Sequence, residues 1–201
     1  MIKARITGTG SYVPEKVLTN LDLEKFLDTT DEWIRTRTGI SERHVAADDE
    51  NTSDLATKAA ERALEMAGVK PEELDGIIVG TITGDYPWPA TACIVQANLG
   101  AVNAAAHYVS AACSGFLYAL SSATDRIEAG SAKKMLVIGA EILTRICDWE
   151  DRNTCILFGD GAGAVVLEAT EGDHGILSTH LHADGNQLEL LYQPGFATKF
   201  V

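Results

Sequence analysis

The stretch Ala104–Gly130, AAAHYVSAACSGFLYALSSATDRIEAG, predicts a strand that turns directly into a helix. Residues 104–112 are rich in small side chains and are typical of a strand. The residues that follow carry apolar side chains three or four positions apart, the spacing of one helix face: Phe116, Leu120, Ala123 and Ile127. Gly130 is expected to end the helix. Cys113 therefore falls where the strand turns into the helix.

This position gives Cys113 two competing interpretations. The first turn of a helix offers unpaired backbone N–H groups and a positive dipole end, which favour a thiolate over a thiol. A cysteine there can act as a nucleophile without a metal. The alternative is a small apolar side chain in the core, because free cysteine is among the most buried residue types.

Composition narrows the class of protein. The 201 residues are 46% hydrophobic and 22% charged, which is typical of a globular protein with a substantial core. The formal net charge of −13 disfavours nucleic acid and anionic membranes as partners. Residues 1–10 lack the apolar centre of a signal peptide and no run is long enough to span a membrane, so the expected compartment is the cytoplasm.

The four cysteines form neither a metal site nor a disulfide framework by their spacing. They stand at positions 93, 113, 147 and 155, with no C-x-x-C pair. Cys93 lies in a helical pattern and Cys155 in an apolar, strand-like run, so both are predicted to be core residues. No metal ligands are predicted: His180 and His182 share a face but lack an evident third ligand.

Strands alternate with helices along most of the chain, which predicts an α/β fold with a mixed sheet and helices on both faces. The clearest helix is expected at Asn51–Gly68, and buried strands at residues 76–82 and Lys134–Ala140. The apolar runs Thr154–Phe158 and Gly163–Glu168 predict two strands joined by a GDGAG turn. A last strand is expected at Gly175–His182.

Trp33 and Arg37 lie four residues apart on a short predicted helix that Thr29 or Thr30 can cap. At that spacing the pair can stack on a flat heterocycle and bind a phosphate. The alternative is a Trp packed on its own domain beside a solvated Arg.

Three motifs together resemble those of the β-ketoacyl-acyl-carrier-protein synthase III family. They are SAACSGF at Ser110–Phe116, TTDEWIRTRTGI at Thr29–Ile40 and FGDGAGA at Phe158–Ala164. The resemblance extends from the N-terminus to about Pro194. It implies the thiolase-like layered fold, with helices around a mixed five-stranded sheet, which is half of the usual duplicated αβαβα architecture.

The resemblance also implies roles for individual residues. Cys113 matches the cysteine that takes an acyl group from acyl-coenzyme A (acyl-CoA) as a thioester. Trp33 and Arg37 match residues that sandwich the adenine of CoA, and Thr29 and Arg152 match further contacts to that nucleotide. The acyl pocket is implied at three positions, the first of which crosses to a partner subunit: Trp88, Leu143 and Phe158.

The implied reaction initiates fatty acid synthesis. A short acyl-CoA, such as acetyl-CoA, acylates Cys113, and the acyl-enzyme condenses with malonyl-acyl-carrier protein with loss of CO₂. Acyl-CoA is a substrate, and no cofactor is expected. The partners implied are the malonyl-carrier protein and a second copy of the chain.

The sequence departs from the family at three places. The decarboxylating His and Asn belong to a second half, and none of the five histidines matches that His: His44, His107, His174, His180 and His182. Residues 194–201 (PGFATKFV) differ from the usual continuation, and His107-Tyr108 stands where relatives commonly have Phe-Asp. The expectation is one N-terminal thiolase-like domain, 1–201, with the C-terminal half absent and full activity lacking. Two alternatives remain open, a non-catalytic fragment that binds a complementary chain or CoA, and a related polyketide starter synthase.

Overall fold

The computed structural model describes residues 1–193 and is built around one mixed five-stranded sheet. The strands run in the order β1-β7-β6-β4-β5, where β4 is parallel to both β5 and β6, and β7 is antiparallel to β6 and β1. The sheet strands are β1 (Ile2–Tyr12), β4 (Gly76–Gly80), β5 (Ala105–Val109), β6 (Lys134–Ile142) and β7 (Asp160–Glu171). The helices are α1 (Asn20–Leu23), α2 (Asp31–Thr38), α3 (Thr52–Ala67), α4 (Thr91–Leu99), α5 (Gly115–Glu128) and α6 (Arg152–Cys155).

Helices cover both faces of the sheet, as the alternation along the sequence predicted. Successive side chains of a strand point to opposite faces, so Ile77 and Val79 of β4 pack with α3 and α4. Ile78, between them, packs with α5 on the other face. The fold is therefore a three-layer α/β arrangement with an apolar core on each side of the sheet.

A smaller unit lies beside the sheet and carries helix α2. It consists of α1, α2 and a hairpin of β2 (Lys16–Thr19) and β3 (Glu42–Val45). Leu23 and Ile34 are fully buried there with Cys155 and Ile156. This small core fixes α2 against the segment that contains Arg152.

The predicted strand at Thr154–Phe158 and the predicted GDGAG turn are wrong. Asp151 caps the short helix α6 by accepting a hydrogen bond from the Asn153 N–H (3.0 Å), so the apolar run begins as helix. Residues 160–164 are the first part of strand β7. Glycine in this strand permits a close approach, because a Cβ on Gly161 would lie 3.3 Å from the Tyr12 carbonyl oxygen of β1.

The predicted strand at Gly175–His182 is also wrong, since this segment has no regular structure. Gly172 and Gly175 have positive φ angles of 120° and 150°, which interrupt an extended path. One backbone hydrogen bond, from the Ile176 N–H to the Ala4 carbonyl (2.8 Å), joins the segment to β1. The expectation for Pro194–Val201 lies outside the described residues.

Within residues 1–193, no helix is both long and apolar enough to cross a bilayer.

Candidate active site

Cys113 lies in a 3₁₀ turn, Ala112–Ser114, between β5 and α5, and is exposed. Strands β4, β5 and β6 are parallel, so their carboxyl ends meet at one edge of the sheet, and the turn follows β5 at that edge. Ala112 has a φ of +45°, the one positive φ among the non-glycine residues described. A left-handed alanine costs about 1–2 kcal/mol, and such strain persists only where the surroundings hold it.

Two glycines let the first turn of α5 lie directly on the sheet. A Cβ on Gly80 would lie 2.6 Å from the Gly115 carbonyl carbon, and one on Gly139 would lie 3.3 Å from the Cβ of Phe116. No side chain fits between β4 and the helix, so helix and strand make backbone contact. This contact fixes the backbone on which Cys113 is carried.

The other three thiols have different surroundings. Burial raises the pKa of Cys147 to about 11 and also raises the pKa of the fully buried Cys155. Cys93 is exposed, contrary to the predicted core position, and its Sγ lies 3.7 Å from the Ala106 carbonyl oxygen. It faces outward because it follows Ala92, which takes the buried position on α4.

Trp33, Arg37 and Arg152 come together at the surface of the smaller unit. Thr30 caps α2 by accepting a hydrogen bond from the Trp33 N–H at 3.0 Å, as the sequence predicted. The guanidinium carbon of Arg37 lies 4.3 Å from the Trp33 ring centroid, and that of Arg152 lies 5.0 Å from it. The arrangement places two cations against one partly buried aromatic ring.

Thr29 adds an unpaired polar atom beside this cluster. Its Oγ1 is buried and has no hydrogen-bond partner within the described residues. Arg152 is held in place by Asp28, whose backbone carbonyl and carboxylate both accept from it. A buried hydroxyl without a partner costs free energy unless a ligand or water satisfies it.

The three positions of the implied acyl pocket do not lie on one element. Leu143 is half-buried in a 3₁₀ turn after β6, and Phe158 is half-buried just before β7. Trp88 projects from the loop after β4 with 82% of its surface exposed, so its ring contacts little of its own chain.

Two carboxylates at this edge of the sheet were not identified from the sequence. Asp160 is buried and accepts hydrogen bonds from Ala46 N–H (2.7 Å) and from the N–H (3.0 Å) and hydroxyl (2.6 Å) of Thr144. Glu141 accepts hydrogen bonds from the segment that follows β4. Two features of the sequence could have indicated them. Glu141 is a single charged residue at the end of an apolar strand, and Asp160 is an acidic residue between glycines.

Comparison with known proteins agrees with this architecture. Residues 108–185 match the family model described as 3-oxoacyl-[acyl-carrier-protein] synthase III. A β-ketoacyl-[acyl-carrier-protein] synthase III of Xanthomonas campestris is 63% identical over 193 residues, covering 96% of this chain and 59% of the relative. The chain thus spans about three fifths of the length of the curated relatives it matches.

Two solved structures extend the similarity to the fold. The 3-oxoacyl-[acyl-carrier-protein] synthase III of Aquifex aeolicus is 55% identical with a TM-score of 0.89, covering 91% of this chain and 59% of its own. The β-ketoacyl-[acyl-carrier-protein] synthase III of Thermus thermophilus is 49% identical with a TM-score of 0.92, covering 96% and 60%. The fold is therefore thiolase-like. By sequence, the chain is similar to the β-ketoacyl-acyl-carrier-protein synthase III family.

Proposed function

We propose that this chain carries the acyl-transfer centre of a condensing enzyme that initiates fatty acid synthesis. In the first step, the Cys113 sulfur attacks the thioester carbonyl of a short acyl-CoA, and the CoA thiolate leaves. In the second, malonyl-acyl-carrier protein loses CO₂, and the resulting carbanion attacks the acyl-enzyme and releases Cys113. The observation that supports this most is an exposed cysteine on a strained turn at the start of α5.

The turn also supplies a donor for the negative charge that develops on the carbonyl oxygen. The N–H groups of Ser114 and Gly115 are already bonded to the carbonyls of Ala111 and Ala112. We propose the N–H of Cys113, the reacting residue itself, as this donor. A fixed donor of this kind stabilises the tetrahedral intermediate more than the planar thioester.

We propose that the CoA nucleotide binds at Trp33, Arg37, Arg152 and Thr29. The adenine lies between the Trp33 ring and the Arg37 guanidinium, Arg152 makes a further contact to the nucleotide, and the unpaired Thr29 hydroxyl gains a hydrogen bond. Binding of CoA, measured by calorimetry, should weaken at least about tenfold in Trp33→Ala, the scale of one lost stacking contact.

The same helix offers a matched control for the nucleotide site. Arg35 is exposed and pairs with Asp31 at 3.6 Å, away from the Trp33 ring. Arg37→Ala should weaken CoA binding and Arg35→Ala should not. Equal effects of the two variants would mean that net charge, rather than a built site, attracts the nucleotide.

We further propose that the 201-residue chain alone does not complete the condensation. This proposal is supported by the family resemblance, in which none of the five histidines of this chain matches the decarboxylating His. His44 bonds to the Pro14 carbonyl (2.5 Å), His107 is exposed on β5, and the others lie in the irregular segment 172–184. Purified chain given acetyl-CoA and malonyl-acyl-carrier protein should yield no β-ketoacyl product, and its detection would contradict this proposal.

A homodimer in the cytoplasm is the assembly we propose. Strand β5 is an edge of the sheet with an exposed His107 and Tyr108, and Trp88 extends away from its own chain. An unpaired edge strand favours pairing with a second copy. Sedimentation should give twice the monomer mass.

A second candidate function is binding of a complementary chain without turnover. An apolar groove of about 440 Å³ lies beside the start of α5, lined by Phe116, Gly139, Gly163 and Val165 among others. A stable complex with a separate C-terminal half of a relative, without thioester formation on Cys113, would favour this function over the first.

A further inference from the structure

The Glu141 carboxylate is bonded to one short segment of the chain. Its Oε1 accepts from the Ile82 N–H (2.8 Å), and its Oε2 accepts from the Thr83 N–H (3.0 Å) and the Thr81 hydroxyl (3.1 Å). The Thr83 hydroxyl also donates to Oε2. Within residues 1–193, no Lys or Arg pairs with Glu141. The charge is therefore stabilised by the Thr81–Thr83 segment and not by a cation.

Burying the Glu141 carboxylate costs free energy, and the packing of the apolar core does not require a carboxylate at this position. Burial raises the pKa of Glu141, and the hydrogen bonds from the segment only partly oppose that rise. Four donors of the Thr81–Thr83 segment engage the carboxylate, three of them on Oε2. What it does is hold the polypeptide immediately after β4.

The segment it holds leads directly to Trp88. The Thr83 hydroxyl accepts from the Ile142 N–H (2.8 Å), and the Thr83 carbonyl accepts from the Thr52 hydroxyl (2.6 Å). Asp85 fastens the next part of the loop by accepting from the N–H (3.1 Å) and hydroxyl (2.6 Å) of Ser53. The exposed tip at Trp88 thus extends from a firmly bonded base.

We propose that Glu141 is a positioning residue that sets the chain length of the acyl primer by fixing the Thr81–Trp88 loop. The loop begins at the carboxyl end of β4, at the same edge of the sheet as the Cys113 turn. The Thr81 N–H donates to the Val109 carbonyl (3.1 Å), which joins the loop to the strand that leads to Cys113. This inference rests on the proposed acyl transfer to Cys113 and on the acyl-pocket position that the family resemblance implies for Trp88.

The test uses Glu141→Gln, which keeps the side-chain size but replaces one accepting oxygen with a donating NH₂. The rates at which acetyl-CoA and hexanoyl-CoA acylate Cys113 are measured by intact mass. The ratio of the hexanoyl rate to the acetyl rate should rise at least about tenfold, the scale of discrimination for one methylene in an apolar pocket. A loss of folded protein alone would lower both rates equally and leave the ratio unchanged.

Asp75 provides the matched control because it sits at the opposite end of the same strands. Its carboxylate accepts from the N–H groups of Lys133 (2.6 Å) and Lys134 (2.9 Å). Asp75→Asn should leave the primer ratio unchanged. Thr83→Val, which removes one donor to Glu141 without changing any charge, should shift the ratio in the same direction as Glu141→Gln.

Hydrogen exchange gives a readout that does not depend on activity. The Ile82 and Thr83 amides should lose protection in Glu141→Gln and keep it in Asp75→Asn. If the wild-type chain is acylated normally, unchanged amide protection or an unchanged primer ratio in Glu141→Gln would overturn the role of Glu141. The proposed acyl transfer to Cys113 would still stand. If the wild-type chain forms no thioester with either primer, the proposed acyl transfer fails and this inference fails with it.

Discussion

Exposure and burial divide the four thiols of the chain into two kinds. Cys113 and Cys93 are open to solvent, whereas Cys155 is fully buried and burial raises the pKa of Cys147. A thiol reacts as the thiolate, so reactivity requires both access and ionisation. Of the two accessible thiols, only Cys113 stands on a strained turn at the start of a long helix.

Alkylation should follow this division. With a pKa of about 11, roughly one Cys147 thiol in a thousand is ionised at pH 8. Iodoacetamide at that pH should therefore modify Cys113 and Cys93 well before Cys147 or Cys155. Peptide mass spectrometry over a time course measures the order, and early modification of Cys155 would contradict the burial described.

At the scale of elements, the position of Cys113 depends on the contact between α5 and the sheet. Gly80→Ala would force its Cβ against the backbone of Gly115, and overpacking of this kind costs about 1–3 kcal/mol. Urea unfolding should show this loss. Gly163→Ala is the control, because nothing lies within 4 Å of a Cβ there, and it should change the free energy of unfolding by less than about 0.5 kcal/mol. Equal losses in the two variants would argue against a direct helix–strand contact.

Helix α3 is joined to β1 by a hydrogen-bonded cluster at Glu50. The Glu50 carboxylate accepts from Lys58 Nζ (2.9 Å) and from the Tyr12 hydroxyl (2.8 Å). The hydrogen bond from Lys58, followed by those from the Ala47 N–H and Tyr12, holds the pKa of Glu50 below its usual 4.5. A carboxyl group whose pKa is lowered by folding stabilises the fold above its unfolded pKa, and this stabilisation is lost as the pH falls through the folded pKa.

Glu50→Gln should therefore lower the melting temperature at pH 7. The difference from wild type should shrink as the pH falls below about 4.5 and disappear once Glu50 is protonated in the folded state. Thermal melts across this range measure it, with Glu65→Gln as a control that removes an exposed charge from the same helix without touching Lys58. A difference that stays constant with pH would show that the carboxylate charge is not what stabilises the cluster.

Local signals predicted some elements well and failed at others. Helix α3 begins and ends within one residue of Asn51–Gly68. Both boundaries are local signals, because the N-cap Asn51 and the terminating Gly68 directly flank the helix in the sequence. Within strand β7 the apolar part, Gly163–Glu168, was predicted, but residues 160–162 were predicted as a turn because their glycines indicate one locally, and their extended form depends on pairing with β1 and β6. The strand expected at Gly175–His182 failed for the converse reason, since local alternation does not supply a partner.

The same distinction applies to the candidate site. The strand–helix junction at Cys113 and the four-residue spacing of Trp33 and Arg37 are local, and both were predicted. Glu141 was missed because its partners lie 58 to 60 residues away in sequence. No periodicity reports a contact of that kind.

At the scale of the whole molecule, we predict that this chain alone can hold an acyl group on Cys113. The three layers, the glycine contact beneath α5 and the Trp33 cluster are all contained in residues 1–193. We therefore predict that formation of the acyl-enzyme is separable from the proposed condensation.

The most direct test is the mass of the intact chain after incubation with acetyl-CoA. We predict the addition of one acetyl group per chain, removed by hydroxylamine, mapped to Cys113 and absent from Cys113→Ala. A folded wild-type chain that binds CoA but gains no acetyl group, or one that gains it equally in Cys113→Ala, would contradict the account.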